Sequence, residues 1–392
     1  MIYLLVKLHY AWLESHRFGF LRVFNDVTFQ SAAAVILSFA LVALLGPGVI
    51  AWLRRQKIDD EANFAQTQMD QKMLGKKGTP TMGGILIIFA IALTTLMLAD
   101  LGNFYVGMGL ICLIWLGAVG AMDDWLKLTI HRREKLLSPG APISRQGLTS
   151  LEKILFQIGL GILLSYFTYF YSRDPNSHKV FFPFFKNLVT RPLGPTMFII
   201  LGTAVLTATS NAVNLTDGLD GLASGCAGIV SFTFLILALL QGYPVGSRYL
   251  VDVLLLPRIP GSAEMAVIAG SMVGACLGFL WFNCSPATVF MGDTGSLALG
   301  GLLGYIAVVI RQELLLVLCG GIFVAEAGSV ILQVGWFKYT KWRLGEGRRI
   351  FLMAPLHHHF QCKGWAETQV VIRFWLIGVM LAMLALATIK LR

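Results

Sequence analysis

The sequence is poor in charge. Only 13% of its 392 residues are charged, whereas 56% are hydrophobic, and the mean hydropathy is +0.72. A soluble domain could not bury this much apolar surface in its core. The composition therefore predicts a membrane protein.

Several common site patterns are also missing. The six cysteines form no CxxC pair and no zinc-type spacing, so neither disulfides nor structural zinc are expected. The net charge of +10 is spread over short segments between apolar runs, and without a long basic face we expect no nucleic-acid binding. The first residues lack a basic start, an apolar core and a small-residue cleavage site, so no signal peptide is expected to be removed. Residues 1–26 mix apolar and charged residues, which predicts an interfacial amphipathic helix.

What the sequence does contain is a series of apolar runs. A helix needs about 20 apolar residues to cross a hydrocarbon core of roughly 30 Å. By that standard we predict an all-α polytopic protein with about ten transmembrane helices, near residues 28–52, 82–99, 104–122, 154–171, 195–213, 222–240, 265–282, 296–310, 314–337 and 370–389. The ninth run contains Glu326 and Gln333, which lipid tolerates poorly, so this helix is expected to be kinked or to face the protein interior.

The distribution of lysine and arginine predicts the orientation. Ten spans place both termini on one side, and the connections then alternate between the two faces. Residues 53–81, 123–153 and 338–369 hold eighteen lysines and arginines, against twelve on the opposite face. The richer face is predicted to be cytoplasmic, so both termini and the loop 172–195 are expected outside. Because no repeat or long linker interrupts the chain, residues 1–392 are expected to form one membrane domain.

The same alternation gathers the polar motifs at the cytoplasmic face. Asp123 and Asp124 end the third predicted span, and paired carboxylates suit Mg2+, which prefers oxygen ligands. On their own, such carboxylates also occur at ordinary helix ends that meet water. Four separate motifs share this face: GAMDDWLK, NAVNLTDGLDGL, WFNCSPATVFMGDTGS and APLHHHF. Because they share one face, we predict a single site.

Two further features bear on phosphate chemistry. KKGTPTMGG places two lysines beside a turn before the second span, a composition compatible with a phosphate-gripping loop, although basic loops at this face are often only topology signals. Its glycine spacing does not match a Walker A motif. The histidine run lacks a zinc-binding pattern, so contacts with phosphate or substrate are favoured, with a solvated surface loop as the alternative.

Together these segments resemble the phospho-N-acetylmuramoyl-pentapeptide transferases, within the wider family of polyprenyl-phosphate N-acetylhexosamine-1-phosphate transferases. The resemblance covers essentially the whole chain. It implies an Mg2+-dependent enzyme of the bacterial cytoplasmic (inner) membrane that moves phospho-MurNAc-pentapeptide from UDP-MurNAc-pentapeptide to undecaprenyl phosphate, giving lipid I and UMP. It also implies a homodimer surrounded by membrane lipids.

The resemblance also assigns roles to individual residues. It implies a metal site at Asp293 and Asp220, and catalytic roles for Asp123, Asp124, Asp293, His357 and His358. The substrate contacts that we expect are Lys76, Lys127, Lys153, Asn214, Asp217, Asn283, Phe290 and His359. Asn283 and Phe290 match a uridine pocket, and the lysines match positions near the diphosphate.

Two other readings and one mechanistic question stay open at this point. A related transferase acting on UDP-GlcNAc would carry similar motifs. A transporter could also combine ten spans with intramembrane acids, but it would place them near the bilayer midplane. For the transferase, direct attack by undecaprenyl phosphate is preferred, with Asp123 as a base for any remaining proton. An aspartyl intermediate stays open.

Overall fold

The computed structural model describes residues 19–56, 78–129, 147–184 apart from Arg173, and 192–391 apart from positions 243, 246, 247, 250–253, 255 and 257, together with Tyr3 and Leu8. Most of the predicted interfacial helix at 1–26 and the lysines of KKGTPTMGG lie outside these residues. Residues Gly19–Asn25 form a 3-10 helix.

The described chain is almost entirely helical. Its α-helices are α1 Val27–Arg55, α2 Gly84–Leu98, α3 Phe104–Leu128, α4 Ser150–Tyr171, α5 Pro195–Thr216, α6 Leu222–Gly242, α7 Met265–Asn283, α8 Gly292–Val309, α9 Glu313–Cys319, α10 Gly321–Leu344, α11 Leu356–Cys362 and α12 Glu367–Ala387. The strands among the described residues are β1 Pro244–Val245 and β2 Arg248–Tyr249, which pair antiparallel. Short 3-10 helices lie at Pro175–His178, Ser262–Glu264 and Thr388–Leu391.

Most of the predicted spans appear as single long helices. Eight described helices are long and apolar enough to cross a membrane, and a ninth candidate is the α9–α10 pair. The second predicted span forms α2, which has only 15 residues and therefore extends about 22 Å, short of the hydrocarbon core. The polytopic all-α prediction is confirmed in its class, while the count of ten stays a prediction.

The predicted irregularity of the ninth span is confirmed. The span is broken between Cys319 and Gly321, where α9 and α10 meet at 85°. Glu326 is 0% exposed and therefore faces the protein interior. Gln333 lies further along α10, where its side-chain oxygen accepts hydrogen bonds from the backbone amides of Ile350 and Phe351. The segment that follows α10 is thus hydrogen-bonded to this helix.

Helix α8 lies at the centre of the protein. It packs against α3 and α5, while α7 packs against α1 and α6. From Thr294 to Val309 every residue of α8 is buried. Glycine permits the close approach on one side: a Cβ on Gly84 of α2 would lie 2.1 Å from the amide nitrogen of Gly295. The first turn of α8 is therefore held directly against its neighbours.

Candidate active site

The end of α3 and the start of α4 form one charged cluster. Asp123 is 0% exposed, and its Oδ2 lies 2.7 Å from the Nζ atoms of both Lys127 and Lys153. Its Oδ1 accepts a hydrogen bond from the backbone amide of Leu148 at 2.7 Å. Lys127 follows Asp123 by one helical turn, whereas Lys153 comes from the first turn of α4. The cluster therefore joins two helices.

Asp293 completes the cluster from a third helix. It stands in the first turn of α8, and its Oδ2 lies 2.5 Å from Lys153 Nζ and 3.3 Å from Lys127 Nζ. Two ammonium groups are thus shared between two carboxylates whose sequence positions are 170 apart. Such an arrangement supports binding of a diphosphate, because the lysines can turn toward phosphate oxygens once other charges balance the carboxylates.

Asp124, next to Asp123, forms hydrogen bonds with the first turn of α8. Its Oδ1 accepts from the backbone amide of Asp293 at 3.1 Å. Its Oδ2 accepts from the amide and the hydroxyl of Thr294 at 2.9 Å and 2.6 Å. A carboxylate in this position caps the first turn of α8 and meets the positive end of the helix dipole. Asp124 therefore fixes α8 against α3, a function that the sequence alone did not indicate.

Close backbone contact makes this capping possible. A Cβ on Gly120 of α3 would lie 2.2 Å from the carbonyl oxygen of Asp293. Gly292 begins α8 with a φ of +73°, and a Cβ there would lie 2.6 Å from Asp124 Oδ2. Only glycine suits both positions. The MGDTGS segment therefore supplies the shape that brings its aspartate to the acidic pair.

The donor atoms fit a hard divalent cation. One carboxylate oxygen from each of Asp123, Asp124 and Asp293 lies within 4.8 Å of the others. An oxygen-only set, partly buried beside two lysines, suits Mg2+, which binds through few carboxylates and shares its remaining positions with water and phosphate. Asp220, the other predicted ligand, is not part of this group. Its assignment stays a prediction.

The loop before α2 is attached to the loop before α8. The backbone amide of Phe290 donates to the carbonyl of Pro80, and the amide of Gly83 donates to the carbonyl of Phe290, both at 2.8 Å. Phe290 is half-buried at this junction. The predicted phosphate-gripping loop therefore reaches the site through residues 78–83, while Lys76 falls outside the described residues.

The buried side chain of Asn283 connects two loops. It is 3% exposed. Its Oδ1 accepts from the amide of Gly221 and the hydroxyl of Ser224 at 3.1 Å and 3.2 Å, and its Nδ2 donates to the carbonyl of Val289 at 2.9 Å. The predicted contact with uridine stays a prediction. In the structure, the side chain of Asn283 holds two loops in position at the site.

The turn between α5 and α6 carries two more predicted acids. Asp217 directly follows α5, and burial together with the charges of Asp293 and Asp124 raises the pKa of its carboxyl to about 8. Asp220 is 4% exposed, and its Oδ2 accepts from the amide of Ala287 at 3.2 Å. Asn214 lies in the last turn of α5, where its carbonyl accepts from the amide of Asp217. The turn thus borders the charged cluster.

The histidine run forms the short helix α11. His357 is 0% exposed and lies against Glu326. His358 Nδ1 is 2.9 Å from the side-chain oxygen of Gln361, and burial beside His357 lowers the pKa of His358. His359 Nδ1 accepts from the amide of Leu352 at 3.2 Å. The three imidazoles have separate surroundings and do not form one ligand set.

The structure therefore gathers five predicted residues into one cluster: Asp123, Asp124, Asp293, Lys127 and Lys153. The α5–α6 turn and the Phe290 junction border it, whereas the histidine helix lies against α10 through the contact of His357 with Glu326. Sequence reasoning missed the part played by Thr294, and it noted Glu326 and Gln333 only as misfits in an apolar run. These two polar residues in an apolar run were the available signal in the sequence, because a polar group inside an apolar helix requires a partner.

Comparison with known proteins agrees with this geometry. The pattern of glycosyl transferase family 4 matches residues 106–311, a range that runs from α3 past the end of α8. Fold and site therefore define a membrane transferase of the glycosyl transferase family 4 class.

A more specific match narrows the class. Signature 1 of the phospho-N-acetylmuramoyl-pentapeptide transferases matches residues 76–88. The chain is also 43% identical over 396 residues to the phospho-N-acetylmuramoyl-pentapeptide-transferase of Chlorobium phaeobacteroides (strain BS1), with 100% of both sequences covered. The chain belongs to the phospho-N-acetylmuramoyl-pentapeptide transferase family, and the resemblance drawn from its motifs is confirmed.

Proposed function

We propose that the protein transfers phospho-MurNAc-pentapeptide from UDP-MurNAc-pentapeptide to undecaprenyl phosphate, giving lipid I and UMP. The observation that carries this proposal is the cluster in which Lys127 and Lys153 are shared between Asp123 and Asp293. Breaking a diphosphate requires stabilisation of negative charge on the leaving phosphate, and this cluster offers both cations and oxygen ligands for it. Family membership supports the choice of substrates.

Mg2+ is the proposed cofactor. Asp293 and the pair Asp123 and Asp124 would hold it, because their oxygens lie within 4.8 Å of one another. When bound, it would neutralise phosphate oxygens and the charge that develops on UMP. The lysines then have less negative charge to balance within the protein, and Lys153 and Lys127 can bind the diphosphate.

Direct attack is the proposed route. An oxygen of undecaprenyl phosphate is already anionic; it forms a bond to the sugar-linked phosphorus while the bond to the oxygen of UMP breaks. Asp123 is poorly suited to be the nucleophile. Its Oδ1 accepts from the amide of Leu148, and its Oδ2 stands between two ammonium groups. A carboxylate held by two ammonium groups is a weak nucleophile and also a weak base, so the role proposed for Asp123 is to position the lysines.

The proposed setting is the bacterial cytoplasmic (inner) membrane, with the site at the cytoplasmic face. The excess of lysine and arginine on the loops at that end supports this orientation. It places both termini and the loop 172–195 outside, and the loop 338–369 with the histidine run inside. Membrane lipids and a second copy of the chain are the further partners we propose.

A direct assay tests the function. Purified protein in detergent, supplied with Mg2+, UDP-MurNAc-pentapeptide and undecaprenyl phosphate, should release UMP and form lipid I in equal amounts. Because detergent solution has no sealed compartment, turnover there excludes a transporter. Product from UDP-GlcNAc but not from UDP-MurNAc-pentapeptide would replace the proposal with the related GlcNAc-1-phosphate activity.

A further inference from the structure

Glu326 is a carboxylate inside an apolar helix. It lies in the second turn of α10, is 0% exposed, and has Ile322 and Phe323 as buried neighbours on the same helix. A buried carboxylate without a partner is strongly destabilising. Ser329, one turn further on, donates only to the backbone carbonyl of Glu326, so the partner of the carboxylate lies elsewhere.

The partner is His357. Its backbone amide donates to Glu326 Oε1 at 3.2 Å. Its ring Nδ1 lies 3.2 Å from Glu326 Oε2, although the angles leave both atoms without a hydrogen bond in the structure. A buried polar group that is left unpaired is destabilising. A small rotation that lets Nδ1–H donate to Oε2 satisfies both atoms at once.

The other ring nitrogen points toward the acidic turn. A Cβ on Gly218 would lie 2.2 Å from His357 Nε2, so only a glycine lets the imidazole approach the chain there. Gly218 stands between Asp217 and Asp220 in the turn from α5 to α6. Nε2 is buried and has no hydrogen-bond partner among the described residues. The imidazole of His357 therefore lies between α10 and the α5–α6 turn, which borders the charged cluster.

We propose that Glu326 is a positioning residue, which fixes the imidazole of His357 with its proton on Nδ1 and directs Nε2 at the turn containing Asp217 and Asp220. The inference rests on the proposed function, because the substrate phosphates are expected at that turn. Glu326 touches no reacting atom and acts only through His357. A carboxylate that selects the tautomer and orientation of a histidine is a common arrangement in active sites.

The experiment separates this role from a structural one. Full-length protein with 15N-labelled histidine is compared with Glu326→Gln, His357→Gln, the double variant and Ser329→Ala, a control from the same buried turn. In the wild type, the imidazole signal that disappears in His357→Gln should carry its proton on Nδ1. In Glu326→Gln that proton signal should shift or vanish, while Ser329→Ala should leave it unchanged.

Turnover gives the second readout. Glu326→Gln should lower kcat by about 10- to 100-fold, the usual effect of removing a residue that orients a functional histidine. In the His357→Gln background the same substitution should change kcat by less than about twofold, because two residues that act as one unit are not additive. A structural role would lower kcat equally in both backgrounds.

The outcomes are distinguishable from failure of the proposed function. An Nε2 proton in the wild type, or a His357 signal that Glu326→Gln leaves unchanged, would overturn the inference even in an active enzyme. Absence of any transferase activity in the wild type would overturn the proposed function. The imidazole spectrum would then still decide whether Glu326 orients His357.

Discussion

Replacing Asp124 by alanine should destabilise the protein as well as inactivate it. The carboxylate accepts three hydrogen bonds from the first turn of α8. Loss of a helix cap costs about 1–2 kcal/mol, and leaving its buried donors unpaired adds about 1–3 kcal/mol. The expected loss is therefore about 3 kcal/mol. An unfolding entropy of about 2.1 cal/mol/K per residue gives a Tm about 4 °C lower.

Tryptophan fluorescence during heating in detergent measures this change. Asp124→Asn is the matched control, since it keeps one oxygen as an acceptor but loses the charge, and its Tm should lie between those of the wild type and Asp124→Ala. A Tm for Asp124→Ala within about 1 °C of the wild-type value would show that Asp124 does not hold α8 in place, and the capping role would have to be abandoned.

Two further predictions concern packing and pH. Gly84→Ala should lower the Tm by several degrees, because its Cβ would lie 2.1 Å from Gly295 N. Gly335→Ala is the control: no atom lies within 4 Å of its Cβ, so the Tm should stay unchanged or rise slightly. Equal effects of the two substitutions in heat-denaturation curves would contradict the close packing of α2 on α8. Asp217 has its pKa raised to about 8 by burial and the nearby carboxylates, from an ordinary value near 4. Because the folded protein holds this proton more tightly than the unfolded chain, the stability that Asp217 contributes is present at low pH and is lost as pH rises from about 4 to about 8. With a chelator present, the Tm of the wild type should therefore fall relative to Asp217→Asn across that window, and parallel curves would refute the shift.

Much of the fold followed from the apolar runs because a membrane helix depends mainly on local composition. The bent ninth span could be anticipated for the same reason: Glu326 and Gln333 are unfavourable in lipid, and both have partners within the protein. The length of α2 could not be anticipated. Its N-terminal end depends on Gly83 and Gly84, whose amides donate to the carbonyls of Phe290 and Met291 in a distant loop.

The site was predictable as a set of residue types but not as an arrangement. The acids and lysines at one face indicated a shared site, and Asp123, Asp293 and Lys153 do meet. The sequence shows only two adjacent aspartates. It does not indicate that Asp124 caps α8 while Asp123 pairs with lysines. The difference arises from the direction in which each side chain leaves α3 and from the glycines that let α8 approach.

We expect Asp293 to help hold a catalytic Mg2+ for transfer of phospho-MurNAc-pentapeptide. The most direct measurement compares wild type and Asp293→Asn, matched for yield and Tm, in Mg2+-dependent UMP release and in Mn2+ binding followed by electron paramagnetic resonance. The variant should lose at least about 100-fold in UMP release and should bind Mn2+ more weakly. Full activity with unchanged Mn2+ affinity would contradict this role of Asp293.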